Sequence, residues 1–254
     1  GNEVRKEATQ QAFKELTLCL PLGDSKAGPR LAMFHWEQAV QSILKDELEL
    51  AFSHDLARHI IKQNANDIDY SDRTYYVRPV LRTLFTKFGK NVWPVFAEAI
   101  RDAGSLQKYY LSDLLSSDDG FDKHSPSVLA DLPDQVLKDW CVAEPEVAPE
   151  FLAGATDVLI EADGVISMSP RARFLLDTFG DNESVLSALS ANLGTFSWAG
   201  SLVPYYSREL AVLQPLTDHQ RPEVRTWVIK RIAYLHKIIE REKQHDQEGE
   251  WGLY

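Results

Sequence analysis

An all-α fold of stacked antiparallel helical hairpins is what this sequence predicts, on three observations. Apolar residues recur at helical spacing along most of the chain. Alternating runs of β-branched residues flanked by turn residues are nearly absent. A ten-residue pattern also recurs at a shift of 91 residues. Arg82-Thr83-Leu84-Phe85-Thr86-Lys87-Phe88-Gly89-Lys90-Asn91 aligns with Arg173-Phe174-Leu175-Leu176-Asp177-Thr178-Phe179-Gly180-Asp181-Asn182. Two helical pairs of roughly 40–47 residues each span that distance.

The elements follow in order. Glu3 to Leu18 sets Val4, Ala8, Ala12 and Leu16 on one stripe and reads as a helix. Pro21 to Arg30 is a loop by its Pro, Gly, Asp and Ser content. Leu31 to Phe52 is helical, and Ser53 caps a further helix to Gln63. Residues 1–72 thus form an N-terminal helical segment, continuous with a paired-helix region over 73–254. Thr74 to Phe88 is a helix released by Gly89, a residue suited to the left-handed position after a helix end. Asn91 caps Val92 to Asp102, Gly104 closes it, and Leu106 to Leu115 adds another helix. Ser116 to Ser127 is the longest polar stretch and reads as a flexible loop. Pro133-Asp134 starts a helix to Val142, and Pro145 to Ile160 supplies its partner. Asp163-Gly164 is a turn dipeptide. Ser169 caps the next helix with Pro170 at its first position. That helix ends at Phe179-Gly180, and Asn182 to Asn192 pairs with it. Gly194 to Ser201 is a loop.

The last unit, Leu202 to Gln244, is the clearest. Its first helix carries Leu202, Val203, Tyr206, Leu210, Leu213 and Leu216. The turn Thr217-Asp218-His219-Gln220-Arg221-Pro222 follows, and the second helix carries Val224, Val228, Ile232, Leu235 and Ile239. The run Asp218…Pro222-Glu223-Val224-Arg225 resembles the turn and second-helix start of a HEAT repeat. The resemblance is closest over 202–244 and weaker over 74–192. Trp227 stands where HEAT units often carry a small residue, and the upstream units lack the Val-Arg pair. The resemblance implies an α-solenoid in which Asp218, Pro222, Val224 and Arg225 are structural. The polar run Glu240 to Glu248 suits a terminal repeat with no neighbour to bury it.

Composition narrows the function classes. The 254 residues are 44% hydrophobic and 26% charged, with a net charge of −11, the balance of an ordinary globular protein of acidic type. No apolar run approaches the ~20 residues that span a bilayer, so no membrane association is expected. The opening Gly1-Asn2-Glu3-Val4-Arg5-Lys6 lacks a signal-type apolar core and a Met. It reads as an excised piece of a longer protein or as the remnant of a cleaved tag. Cys19 and Cys141 form no metal-type spacing and read as two buried thiols of a cytoplasmic protein. Basic residues are dispersed among acidic ones, as in Lys237 to Lys243, which argues against nucleic-acid binding.

Chemical motifs are sparse. His54 and His59 are five apart, about 140° around a helix at ~100° per residue, which suits a surface helix better than a zinc site. Asp118-Asp119-Gly120-Phe121-Asp122 lacks the alternation and closing Glu of a calcium loop. No phosphate-binding glycine loop or nucleophile elbow is present. No catalytic residue, cofactor or metal ligand is therefore assigned. The aromatic-rich loop with Phe196 and Trp198 either wedges between helical pairs or anchors a partner, and Trp251 in the apolar tail is a further partner-binding candidate. The expectation is a protein-interaction scaffold or sensor module, a C-terminal part of a larger bacterial multidomain protein. Its net charge favours a basic protein partner. The alternative is a HEAT-like nucleic-acid-processing module resembling the helical-repeat DNA glycosylases.

Overall fold

A 33-residue helix, Tyr70–Asp102, is the longest element of the computed structural model, and it runs without a break through Pro79, Gly89 and Pro94. The structure describes residues 2–19, 29–45, 50–64, 70–117, 126–193 and 200–250. They are almost all helical, so the all-α expectation holds, with one small β-hairpin added. Contacts divide the chain into two units. Residues 1–116 and 127–148 form the first, and 117–126 and 149–254 the second. The boundary expected at 72/73 falls inside the long helix.

In the first unit, α1 (Asn2–Cys19), α2 (Pro29–Ile43) and α3 (Leu50–Asn64) precede the long helix, α4. α5 (Ser105–Leu115), a 3-10 turn (Val128–Asp131) and α6 (Asp134–Ala143) follow it. α2 and α3 both pack on α4. The sequence reading ended a helix at Gly89 and began another at Asn91, and the structure corrects this. An interior Pro costs about 3 kcal/mol and an interior Gly about 1. Val77, Val80, Leu81, Leu84, Phe85, Val92, Phe96 and Ile100 continue one buried stripe across the site, each at most 1% exposed. At about 1.5–3 kcal/mol for each buried side chain, the stripe outweighs the breakers. Gly89 serves close approach instead, because a Cβ there would sit 2.7 Å from Leu132 Cδ2. Trp93 packs edge-on to Trp140 at 5.0 Å, and Phe85 to Phe96 at 5.2 Å.

Two further readings in this unit change. Ser53 does not cap a helix; it lies inside α3, where its hydroxyl donates to the Leu50 carbonyl at 2.6 Å. His54 is half-buried and not simply a surface group, and its Nε2 donates to the Asn91 carbonyl at 2.9 Å. Of the two cysteines, Cys141 is buried as expected, but Cys19 is exposed.

The unit closes its helix ends with cations from neighbouring helices. Lys87 Nζ donates to the Leu44 carbonyl beyond α2 at 2.7 Å. Arg78 Nη2 donates to the Asp113 carbonyl near the end of α5 at 2.8 Å. The last carbonyls of a helix have no intrahelical partner, and a cation there also meets the negative end of the dipole.

The second unit contains α7 (Ala148–Ala155), β1 (Leu159–Ala162), β2 (Val165–Met168), α8 (Pro170–Phe179) and α9 (Glu183–Leu193). It continues with α10 (Val203–Leu213), a 3-10 turn (Gln214–Asp218) and α11 (Pro222–Glu250). Helix 145–160 of the sequence reading is thus shorter, and its end is strand. Ser169 caps α8 by accepting from the Ala172 amide at 3.1 Å, with Pro170 at the first position. Asn182 caps α9 by accepting from the Ser184 amide at 2.9 Å. The two copies of the ten-residue repeat therefore fold differently. The second ends one helix and caps the next, while the first stays inside α4. Their glycines share one role, since a Cβ on Gly180 would collide with Val224 and the Leu176 carbonyl.

This last contact generates a test. Gly180→Ala should destabilise the protein by about 1–3 kcal/mol by overpacking. Gly104→Ala, where a Cβ meets nothing within 4 Å, should cost less, at most about 1 kcal/mol, the difference between a glycine and an alanine N-cap. Chemical denaturation of both variants reads the difference, and equal midpoints would remove the close-approach role of Gly180.

Candidate functional site

Asp163 and Gly164 both have positive φ, 53° and 76°. That is the signature of a two-residue type I′ turn, for which Asp-Gly is a favoured pair. The turn folds β1 and β2 into an antiparallel pair in which Ala162 faces Val165, Glu161 faces Ile166, Ile160 faces Ser167 and Leu159 faces Met168. Hydrogen-bonded and non-bonded pairs alternate along such a ladder. The pair beside the turn, Ala162–Val165, is bonded, and so is Ile160–Ser167. The Ser169 amide continues the series to the Val158 carbonyl at 2.9 Å. Ile166 and Met168 therefore turn their N–H and C=O groups away from β1.

These groups face a cleft of about 710 Å³ within the second unit. One wall is β2, from Val165 to Met168. All four consecutive residues line it. A strand seen on one face exposes alternate residues only, so β2 presents its edge. The opposite wall is Arg208, Ala211 and Val212 of α10, with Pro215 and Leu216 of the 3-10 turn after it. Pro170 and Arg173 of α8 close one end. Positions 208, 211, 212 and 215 are spaced as one helical face, as are 170 and 173.

The charge of the cleft is opposite to that of the chain. Its lining holds two arginines and no carboxylate. Arg173 and Arg208 are both exposed. Among the described residues neither guanidinium makes a hydrogen bond or ion pair, whereas Arg78, Arg82, Arg221, Arg225 and Arg231 are all engaged. An arginine near the start of α8 gains nothing from the helix dipole. Arg173 is therefore not explained by stabilisation of its own helix.

The cleft wall is held by the reverse face of α10. Glu209, only 2% exposed, accepts from Arg231 Nε of α11 at 2.6 Å and from Nη2 at 3.2 Å. Burial pushes the Glu209 carboxyl above its ordinary range, and the Arg231 hydrogen bond and charge pull it partly back. Consecutive residues thus point a cation to the cleft and a carboxylate to the interior. The turn before α11 is clamped to the end of α8. Arg221 Nε donates to the Asp177 carbonyl at 2.8 Å and its Nη2 to the Thr178 carbonyl at 2.9 Å. Buried His219 donates through Nε2 to Asp177 Oδ1 at 2.8 Å, while its Nδ1 accepts from the Arg221 amide at 3.2 Å.

The residues singled out in the sequence are distributed as follows. Phe196, Trp198, Trp251 and the Asp118–Asp122 run lie outside the described residues. Arg225 Nη1 donates to the His219 and Gln220 carbonyls at 2.7 and 3.1 Å, so it closes the turn. Pro222 opens α11, and Val224 is fully buried under Gly180. Asp218 is exposed, and the clamp beside it is made by His219 and Arg221. Trp227 donates to Ser190 Oγ at 2.6 Å, joining α11 to α9. None of these residues lines the cleft. Sequence reasoning missed β2, Arg173 and Arg208. Ile160, Val165 and Ile166 around Asp-Gly were the available signal.

Nucleophilic chemistry finds no support at Cys141, whose thiol is pushed up to about 12 by burial. No helix among the described residues is long and apolar enough to cross a membrane. In comparisons with protein-family models, with curated proteins and with solved structures, nothing matches this chain.

The buried pair yields a prediction with a sign. A carboxyl whose value is raised in the fold binds its proton more readily folded than unfolded, so acidification towards its range adds stability from that group. Arg231→Ala leaves Glu209 buried without its countercharge. The variant should lose about 3–5 kcal/mol near neutral pH. The loss should shrink on going from about pH 7 to about pH 5, as Glu209 takes up a proton. Thermal melts at both pH values check this, and a loss that grows on acidification would contradict it.

Proposed function

We propose that this chain is a protein-interaction module built of HEAT-like helical pairs, a scaffold or sensor part of a larger bacterial protein. The observation that carries the reading is the cleft beside β2, where two guanidinium groups and four backbone hydrogen-bonding groups have no partner among the described residues. Unspent polar groups along an apolar wall are what a recognition site offers before its ligand arrives. The α10–α11 hairpin, with Arg225 closing its turn and Val224 buried at the start of the second helix, fits the HEAT-like part of the reading. A cytoplasmic setting fits two cysteines that form no disulfide. The net charge of −11 suits a basic protein as the overall partner, although the cleft itself has the opposite sign.

A photo-activatable residue in place of Val212 tests the reading in intact cells. A discrete cross-linked polypeptide is expected, absent when Arg173 and Arg208 are both changed to Glu and absent when the label replaces exposed Tyr75 instead. Failure of all cross-linking at Val212 would contradict the module. Duplex DNA in an anisotropy titration should bind no tighter than micromolar at physiological salt, given the charge. Sub-micromolar, steeply salt-dependent binding would replace this reading with the nucleic-acid-processing one.

A further inference from the structure

We infer that the cleft binds an extended acidic peptide segment of a partner protein, which adds to β2 as a third strand. This rests on the interaction reading above and specifies what enters the site.

β2 is paired to β1 on one side only, and among the described residues Ile166 and Met168 keep two amides and two carbonyls unpaired on the other. An open strand edge is a template for another strand, and proteins normally blunt or cover it. Here the edge opens into a cleft. β2 spans about 13 Å, at about 3.3 Å per residue, enough for a segment of about four residues. A helical ligand has no free backbone groups for the edge, so an extended one is selected.

Carboxylates on the incoming strand meet Arg173 at one end and Arg208 on the facing wall, with no carboxylate in the lining to oppose them. Arginine favours such partners because its planar donors match a carboxylate in a two-pronged bond. The residues between the acidic ones point to the other face of the incoming strand, where β-branched apolar side chains favour the extended form. A polyanion such as nucleic acid is disfavoured. Only two cations are available, no aromatic ring lines the cleft for base stacking, and the surrounding chain repels a phosphate backbone.

The test uses the full chain and three fluorescein-labelled eight-residue peptides, read by anisotropy. One alternates Val with Glu, one alternates Val with Lys, and one is the first with its residues locked in a helix by a side-chain staple. The Val-Glu peptide should bind at least about tenfold tighter than the other two, and added salt should weaken it. Changing both Arg173 and Arg208 to Glu should cost at least about tenfold in affinity, with circular dichroism and melting unchanged. Methylation of alternate backbone nitrogens should abolish binding in one register and spare it in the other, because only alternate amides face β2. Equal binding of acidic and basic peptides, preference for the helix, or indifference to both methylation registers would overturn the inference. If the Val212 cross-link still forms in that case, the interaction reading survives and only the acidic extended ligand falls. If neither peptide nor cross-link is seen, both fall.

Discussion

The clamp between the turn before α11 and the end of α8 is the contact on which the second unit depends. Three groups make it. Arg221 takes up the orphan carbonyls of Asp177 and Thr178, His219 bonds the Asp177 carboxylate, and Gly180 lets Val224 sit against the backbone. A helix end without such partners leaves unpaired carbonyls, each costly if buried. Here they are spent on fixing where the 3-10 turn and α10 lie. The cleft is a consequence, because α8, β2 and α10 supply its lining. The first unit uses the same device at Lys87 and Arg78, which close the ends of α2 and α5. Arg78, Lys87 and Arg221 each close the end of a neighbouring helix, and beside them Arg173 and Arg208, whose guanidinium groups have no partner among the described residues, stand out.

α10 shows how one short helix serves both packing and recognition. Positions 209 and 213 face inward, with Glu209 satisfied by Arg231 and Leu213 buried. Positions 208, 211, 212 and 215 face the cleft. A buried ion pair is weak evidence for stability, since desolvation offsets much of its attraction. Its value here is orientation. It fixes the rotation of α10 about its axis and so aims Arg208.

Much of the helical framework was legible in the sequence. Caps declared themselves where the side chain does the capping, as with Ser169 and Asn182. They misled where burial overrode local preference. Gly89 and Asn91 look like a helix end, yet the buried stripe from Val77 to Ile100 carries α4 through them. Ser53 looks like a cap and instead bonds back to Leu50 within α3. The site was not legible, for a physical reason. β2 is four residues long, too short for alternation to rise above the helical background, and its partner was absorbed into a helix reading. Whether an arginine is engaged depends on neighbours some 40 residues away, such as Asp177 for Arg221, and spacing along the chain carries none of that.

Hydrogen exchange at single-residue resolution along the hairpin tests the central claim most directly. In the free protein the Val165 and Ser167 amides, paired to β1, should exchange slowly, while those of Ile166 and Met168 should exchange near the unprotected rate. Saturation with the acidic extended peptide should slow Ile166 and Met168 selectively. Protection of Ile166 and Met168 before any ligand is added, or no change in them on saturation, would contradict the account of β2 as an open edge that receives a partner strand.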